Sequence, residues 1–227
     1  MYVGHFAIGL GLHARFPTIK PAAIMFGIGF LDMVYGVFVA PGIDRVSPSD
    51  SAGGYLFFDL DYIDWDHSLA MALLWSLAYG LLFRRDRLAS LVAGCAAFSH
   101  FLADAIVHNG DLALWPNSQA HLGFGLWHAL PIGSWALEGL FAACIMAYCV
   151  RQRGRGAGSM LGPSIVLIVL FVQLSPWLSP MKLVAGLPLH AATVAHGVLV
   201  TIGSLIPALI ITALLNRSTR TPPTGAV

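Results

Sequence analysis

Six long apolar stretches constrain this chain more than any other feature. They run at about 21–41, 67–83, 88–107, 130–150, 163–181 and 190–215, and a shorter stretch covers about 2–16. A helix needs about 20 apolar residues to cross a bilayer. The chain is 57% hydrophobic and 10% charged, whereas soluble domains are about 25% charged. The sequence therefore predicts an all-α, polytopic integral membrane bundle of about six transmembrane helices plus a short N-terminal embedded helix.

Basic residues predict how the helices are oriented. They cluster in every second connection, at Arg15, Lys20, Arg84, Arg85, Arg87, Arg151, Arg153, Arg155, Arg217 and Arg220. The positive-inside rule then puts these turns and the C-terminus in the cytoplasm, which predicts a protein of the bacterial cytoplasmic (inner) membrane. The balance of 12 basic and 11 acidic residues argues against nucleic-acid binding, which requires a basic face. The oligomeric state is left open.

Ionisable residues inside the apolar stretches fall at one depth. At a rise of 1.5 Å per residue, six of them lie roughly 18–25 Å from the cytoplasmic turns. They are His5, Asp32, His67, His100, Asp104 and Glu138. A charged residue at a helix centre costs about 2.5–3.5 kcal/mol, and convergence on a shared cation would offset that cost. Neutral imidazoles with carboxylates are the ligands expected for zinc or a similar divalent ion.

The segment SHFLADAIVH, residues 99–108, carries the densest set of such groups. His100 and Asp104 are four residues apart and so share one helix face, with His108 a turn further on. Gly110 is predicted to end this helix, and Asp111 follows it at the outer mouth of the site. His108, Asp111 and Glu138 are predicted to surround the metal ligands.

Four short motifs follow one another along the first part of the chain. They are GH at 4–5, FLD at 30–32, DHSL at 66–69 and SHFLADAIVH at 99–108. In order and spacing they resemble the motifs of a bacterial family of membrane-bound, predicted metal-dependent hydrolases, thought to be related to zinc-dependent phospholipase C and P1-type nucleases. Residues 1–150 are accordingly predicted to form a metal-site domain. Two additional transmembrane helices at 151–216 and a disordered tail at 217–227 are predicted to follow.

The resemblance also implies a set of metal ligands. They are His5, Asp32, His67, His100 and Asp104. Here Met33 and Val34 follow Asp32, where many members of the family have a second acid, and DYIDWD precedes the DHSL histidine. These departures favour one or two ions over a three-metal centre.

Several polar residues near the motifs are interpreted as structural. The acidic segment DLDYIDWD, residues 59–66, is interpreted as a solvated loop, and Asp66 as the cap of a helix beginning at His67. His190 and His196, on the last apolar stretch, are interpreted as lying outside the site.

The leading interpretation is a divalent-metal-dependent hydrolase with its site near the outer face. At that depth a lipid or lipid-linked phosphoester is the natural substrate, with Asp104, Asp32 or Glu138 as the candidate general base. An ion-coupled or proton-coupled transporter is an open alternative, because intramembrane acids and histidines also form ion pathways. A non-catalytic membrane protein with a structural metal is another. The sequence contains no GxSxG, P-loop or dinucleotide-binding motif.

Overall fold

The computed structural model describes residues 1–153 and 160–218. Arg155, Arg220 and most of the predicted tail, residues 219–227, lie outside the described residues.

The described residues are mostly helical, which confirms that part of the predicted fold class. The helices are α1 Tyr2–Arg15, α2 Pro21–Ile28, α3 Phe30–Val39, α4 Asp64–His67, α5 Leu69–Leu81, α6 Arg87–Val107, α7 Leu126–Ala129, α8 Pro131–Arg153, α9 Leu161–Gln173, α10 Pro180–Ala185 and α11 Leu189–Ser218. The strands are β1 Arg45–Pro48, β2 Phe58–Tyr62, β3 Leu112–Ala113 and β4 His121–Leu122. β1 pairs with β2, and β3 with β4, both in the antiparallel sense.

The predicted number of about six membrane spans is not supported. Within residues 1–153 and 160–218, three helices are long and apolar enough to cross a bilayer, namely α6, α8 and α11. α2 and α3 together make a fourth candidate, bent by 44° at Gly29. These helices are compatible with an integral membrane protein.

The other two predicted spans are shorter for local reasons. α5 and α9 each have 13 residues and so measure about 20 Å, against about 30 Å for the hydrocarbon core of a bilayer. At the start of α5, Ser68 is extended and caps the helix by accepting from the Met71 amide. After α9 the chain turns through Ser175 and Ser179, which hydrogen-bond to each other through their backbones, before α10 begins.

Alanine and glycine residues allow several helices to approach one another closely. α6 contributes Ala93, Ala96 and Ala97 to the core, all fully buried. Where α3 crosses α11, a methyl group on Gly36 would overlap the carbonyl oxygen of Gly197 and the hydroxyl of Thr201. Such contacts between small residues are typical of helices packed in membranes.

We predict that Gly36→Ala lowers the melting temperature of the detergent-purified protein. The added methyl group must push α3 and α11 apart, and overpacking of this kind costs about 1–3 kcal/mol. For a chain of this size, 1 kcal/mol corresponds to roughly 2–4 °C. Differential scanning fluorimetry gives the readout.

Gly11→Ala is the matched control, because a methyl group there meets only the Ile145 side chain, at 3.2 Å. Alanine within a helix is otherwise favoured over glycine by about 0.5–1 kcal/mol. Equal effects of the two substitutions would contradict the proposed close crossing.

Candidate metal centre

α6 presents His100 and Asp104 to the interior on one helix face. Both residues are buried, with exposures of 0% and 2%. His100 Nε2 lies 2.9 Å from Asp104 Oδ2. The other ring nitrogen, His100 Nδ1, donates to the carbonyl oxygen of Ile28 at 2.7 Å. Ile28 is the last residue of α2, where helix carbonyls lack helical donors. The break between α2 and α3 therefore holds the His100 ring in place.

His67 approaches from the short helix α4, of which it is the last residue. Its Nε2 lies 3.3 Å from His100 Nε2 and 3.6 Å from Asp104 Oδ2. Its Nδ1 lies 2.5 Å from Asp66 Oδ2. The interpretation of Asp66 as a helix cap is therefore wrong, because α5 begins at Leu69 with Ser68 as its cap. Asp66 is fully buried and orients His67 instead.

His5 enters from the first turns of α1. Its Nε2 lies 3.0 Å from Asp104 Oδ1, and its ring stacks on His100 with the centroids 3.7 Å apart. The Met1 amine contacts the same Asp104 oxygen at 2.5 Å. His5 Nδ1 is buried and has no hydrogen-bond partner among the described residues.

Asp32, in the first turn of α3, closes the cluster. Asp32 Oδ1 lies 3.4 Å from His100 Nε2 and 3.9 Å from His67 Nε2, and Oδ2 accepts from Ser204 on α11. Its side chain is 18% exposed, whereas those of His5, His67, His100 and Asp104 are 4% exposed or less. Asp32 is thus the most accessible member of the cluster.

The five sequence-predicted ligands form two overlapping groups. Within each group, one nitrogen or oxygen atom per residue lies within 4.8 Å of the others. The groups are His5 with His100 and Asp104, and Asp32 with His67 and His100. They share His100, so together they join helices α1, α3, α4 and α6.

Hydrogen bonds at Nδ1 prepare His67 and His100 to act as ligands. Each donates that N–H away from the cluster, to Asp66 and to Ile28, so a neutral imidazole at either position would turn the lone pair of Nε2 inwards. Two such lone pairs 3.3 Å apart, beside two carboxylates, need a cation or a proton between them. Imidazole and carboxylate donors fit a divalent transition-metal ion. The residues could therefore hold a metal whose identity the donor set leaves open.

Of the three residues predicted to surround the ligands, His108 and Asp111 lie next to the cluster, and Glu138 lies apart from them at the start of α1. His108 Nε2 lies 3.9 Å from Asp104 Oδ2, and His108 Nδ1 lies 2.9 Å from Asp111 Oδ1. Burial opposes ionisation of Asp111, yet the His108 imidazole lowers the pKa of this loop carboxyl below its ordinary value.

Glu138 belongs to neither group of the described cluster. It lies on α8 and accepts from the Gly4 backbone amide at 3.0 Å and from the Tyr55 hydroxyl at 2.7 Å. Because the first amides of a helix have no helical acceptor, Glu138 anchors the start of α1 and thereby positions His5.

Tyr55, Ser204 and Tyr35 contribute to the site without having been predicted from the sequence, and His196, interpreted as lying outside the site, lines its cavity. Tyr55 comes from the loop between β1 and β2 and donates to Glu138. Ser204 comes from α11. Tyr35 and His196 are hydrogen-bonded at 2.7 Å beside the cluster, with Tyr35 against the His67 ring. Local spacing carries no signal for Tyr55 or Ser204, because only the packing of distant segments brings them to the site.

A cavity of about 300 Å³ adjoins the cluster. His5, Asp32, His67 and Asp104 line one side of it. The remaining walls are mainly apolar and aromatic side chains, from α9, α10 and α11 and from residues such as Leu60, Ile63 and Trp127. A substrate in the cavity would meet the cluster directly, which a closed structural metal site does not allow.

Comparisons with protein-family models, with curated proteins and with solved structures find no significant match to this chain. The resemblance to membrane-bound hydrolases therefore stays a prediction from the four motifs. The function has to be argued from the geometry of the cluster and its cavity.

We predict that Asp66→Asn weakens divalent-metal binding by about 10-fold to 100-fold, the usual effect of removing a carboxylate that orients a histidine ligand. The amide keeps the volume of Asp66 but removes the negative charge beside His67 Nδ1. Titration of the metal-free protein with zinc against a chromophoric chelator gives the affinity. Asp59→Asn, an exposed position in β2, is the control, and equal affinities in the two variants would remove Asp66 from this role.

Asp44 is fully buried in the loop before β1. Burial and the neighbouring Asp66 carboxyl raise the pKa of Asp44 from its ordinary value of 3.8 to about 8. As the pH rises, the Asp44 carboxyl of the unfolded chain loses its proton first, while that of the folded protein still keeps it. The free energy of unfolding therefore falls as the pH rises from about 4 to about 8.

Asp44→Asn removes this titration. The melting temperature of the variant minus that of the wild type should therefore increase by several degrees between about pH 5 and about pH 9, since 1 kcal/mol corresponds to roughly 2–4 °C. Scanning fluorimetry across this range measures the difference. Asp50→Asn, at an exposed loop position, should follow the wild type. A constant offset between Asp44→Asn and the wild type would contradict the prediction.

Proposed function

We propose that the protein is a membrane-embedded, divalent-metal-dependent hydrolase of phosphoesters. The proposed substrate is a lipid or a lipid-linked molecule, reached from the outer face of the bacterial cytoplasmic membrane. Zinc is the ion that the sequence resemblance favours, and His5, Asp32, His67, His100 and Asp104 are the proposed ligands.

One observation carries the proposal, namely the inward-facing Nε2 atoms of His67 and His100. They lie 3.3 Å apart and face the Asp32 and Asp104 carboxylates. Asp66 and the Ile28 carbonyl each take the opposite ring N–H. This is the arrangement by which proteins fix histidine ligands around a metal.

The cluster residues differ in the work they can do. A divalent ion supplies Lewis acidity to a phosphoryl oxygen and acidifies a water molecule. Asp104 is buried and contacts three histidines, so it would hold the ligand set together. Asp32 lines the cavity and is the more exposed acid. If it does not bind the ion, it is the carboxylate best placed to accept a proton from water there.

The cavity supports a catalytic site over a structural metal. Four of the five proposed ligands line it, so a substrate phosphate can approach the cluster. Its apolar walls suit an amphiphilic substrate and would exclude water from the reacting group.

The distribution of charge supports an outward-facing site. Lys20, Arg84 and Arg85 line one pocket, where the turn before α2 meets the turn before α6. His100 lies 13 residues along α6 from Arg87, about 20 Å away. With the basic turns on the cytoplasmic side, the cluster would lie towards the outer side.

Metal analysis of the detergent-purified protein tests the proposal. We expect one equivalent of zinc, manganese or iron by inductively coupled plasma mass spectrometry, since an ion needs three or four ligands and the cluster offers five. A second equivalent would require the Asp32 or Asp104 carboxylate to bridge two ions. His100→Ala should lose most of this metal, because His100 belongs to both groups. It should also lose hydrolysis of phosphatidic acid presented in mixed micelles.

His190→Ala is the matched control, an exposed histidine on α11. It should keep both the metal and the activity. Absence of metal from the wild type, even after reconstitution with divalent ions, would overturn the hydrolase proposal. The buried histidines and acids would then be tested as a proton or solute pathway.

A further inference from the structure

The cavity has two chemically different parts. Asp32 and His67 of the cluster line it with polar groups, whereas Leu170 of α9, Leu174 just after α9 and Val200 of α11 line it with apolar groups. A purely water-soluble phosphoester would leave this apolar wall unused. An amphiphile would place its phosphate at the cluster and its hydrocarbon against the wall.

Two of the apolar lining residues, on α11, are also well exposed. Ile202 and Ile206 line the cavity, yet they are 43% and 47% exposed. Being four residues apart, they lie on the same face of α11. α11 is a candidate membrane span, so a side chain exposed on its middle section faces lipid. Gln173, at the end of α9, also lines the cavity and is exposed.

The backbone of α11 is unusual at this level. Pro207, which lines the cavity, has no N–H to donate to the carbonyl of Gly203, four residues earlier. The Tyr2 hydroxyl donates to that carbonyl instead. α1, which carries His5, is thus joined to α11 directly beside the opening.

The volume of the cavity limits what it can enclose. At about 300 Å³, it is at the lower end of the roughly 300–1,000 Å³ that small-molecule sites span. A complete two-chain lipid exceeds that space. A lipid that reaches the cluster must therefore leave most of its hydrocarbon outside, in the bilayer.

We propose that the cavity opens towards the bilayer between α9 and α11, at Leu174, Ile202 and Ile206, and that this opening is a lateral portal for the alkyl chain of a membrane lipid. The phosphate reaches the cluster, the first part of one chain lies against Leu170, Leu174 and Val200, and the rest stays in the bilayer. This inference rests on the proposed function for its substrate class. It adds the route of access and the residues that hold the chain.

Photolabelling in vesicles tests the portal without relying on turnover. The reconstituted protein is illuminated in phosphatidylethanolamine and phosphatidylglycerol vesicles that contain phosphatidic acid with a diazirine on an acyl carbon close to the ester. Mass spectrometry of the digested protein then locates the adducts. We expect them on Leu174 and Val200, which are only partly exposed.

Two tryptophan variants make the test specific. Ile206→Trp fills the portal and should lower labelling of Leu174 and Val200 by about fivefold or more, which corresponds to about 1 kcal/mol. Ile210→Trp, one turn away on the same face, is 44% exposed and does not line the cavity, so it should label as the wild type does. Ile206→Phe replaces Ile206→Trp if the latter aggregates on size-exclusion chromatography.

The outcomes separate the portal from the hydrolase. Adducts confined to bilayer-facing positions such as Ile210, or equal labelling in both tryptophan variants, would overturn the portal even if metal and hydrolysis are found. If Leu174 and Val200 are labelled in the wild type and Ile206→Trp abolishes this labelling, the portal is supported even if the wild type contains no metal. In that case the protein would bind the lipid without hydrolysing it by the proposed chemistry.

Discussion

The buried carboxylate of Asp104 is the group on which the rest of the structure depends. Leaving a buried carboxylate unpaired costs several kcal/mol, and this one lies inside an apolar helix at 2% exposure. His5, His67 and His100 surround its two oxygens at 2.9–3.6 Å. To supply those partners, α1 and α4 must reach the same level of α6. The requirement to pair one charge therefore sets how these helices converge.

The helices beyond residue 160 complete the site from the other side. Three hydrogen bonds join α11 to the cluster elements: Ser204 to Asp32, Tyr2 to Gly203, and Tyr35 to His196. α9 and α11 also supply the apolar wall of the cavity. The polar groups of the first half and the hydrocarbon surface of the second half thus meet in one cavity, as the proposed amphiphilic substrate would require.

Patterns within a single helix could be predicted from the sequence. The spacing of His100 and Asp104 predicted that they share one face of α6, and both are buried there. The five proposed ligands do lie close together, while their common depth in a membrane stays a prediction. The sequence-based prediction was wrong where a helix is interrupted. The apolar run at 67–83 suggested a helix beginning at His67, but Ser68 is extended and begins a separate helix. That break is what turns His67 towards the cluster and frees Asp66 to hold its ring.

The sequence by itself determined that the protein is mostly helical and that His100 and Asp104 share one helix face, because hydropathy and helical periodicity are properties of single segments. Only the tertiary structure decided which atoms face one another. The inward Nε2 of His100 depends on a carbonyl at the end of α2, and Glu138 serves the start of α1 instead of joining the ligand groups. The cavity likewise exists only once α9 and α11 pack beside α1 and α3. These features arise from contacts between residues distant in the chain, and no local pattern encodes them.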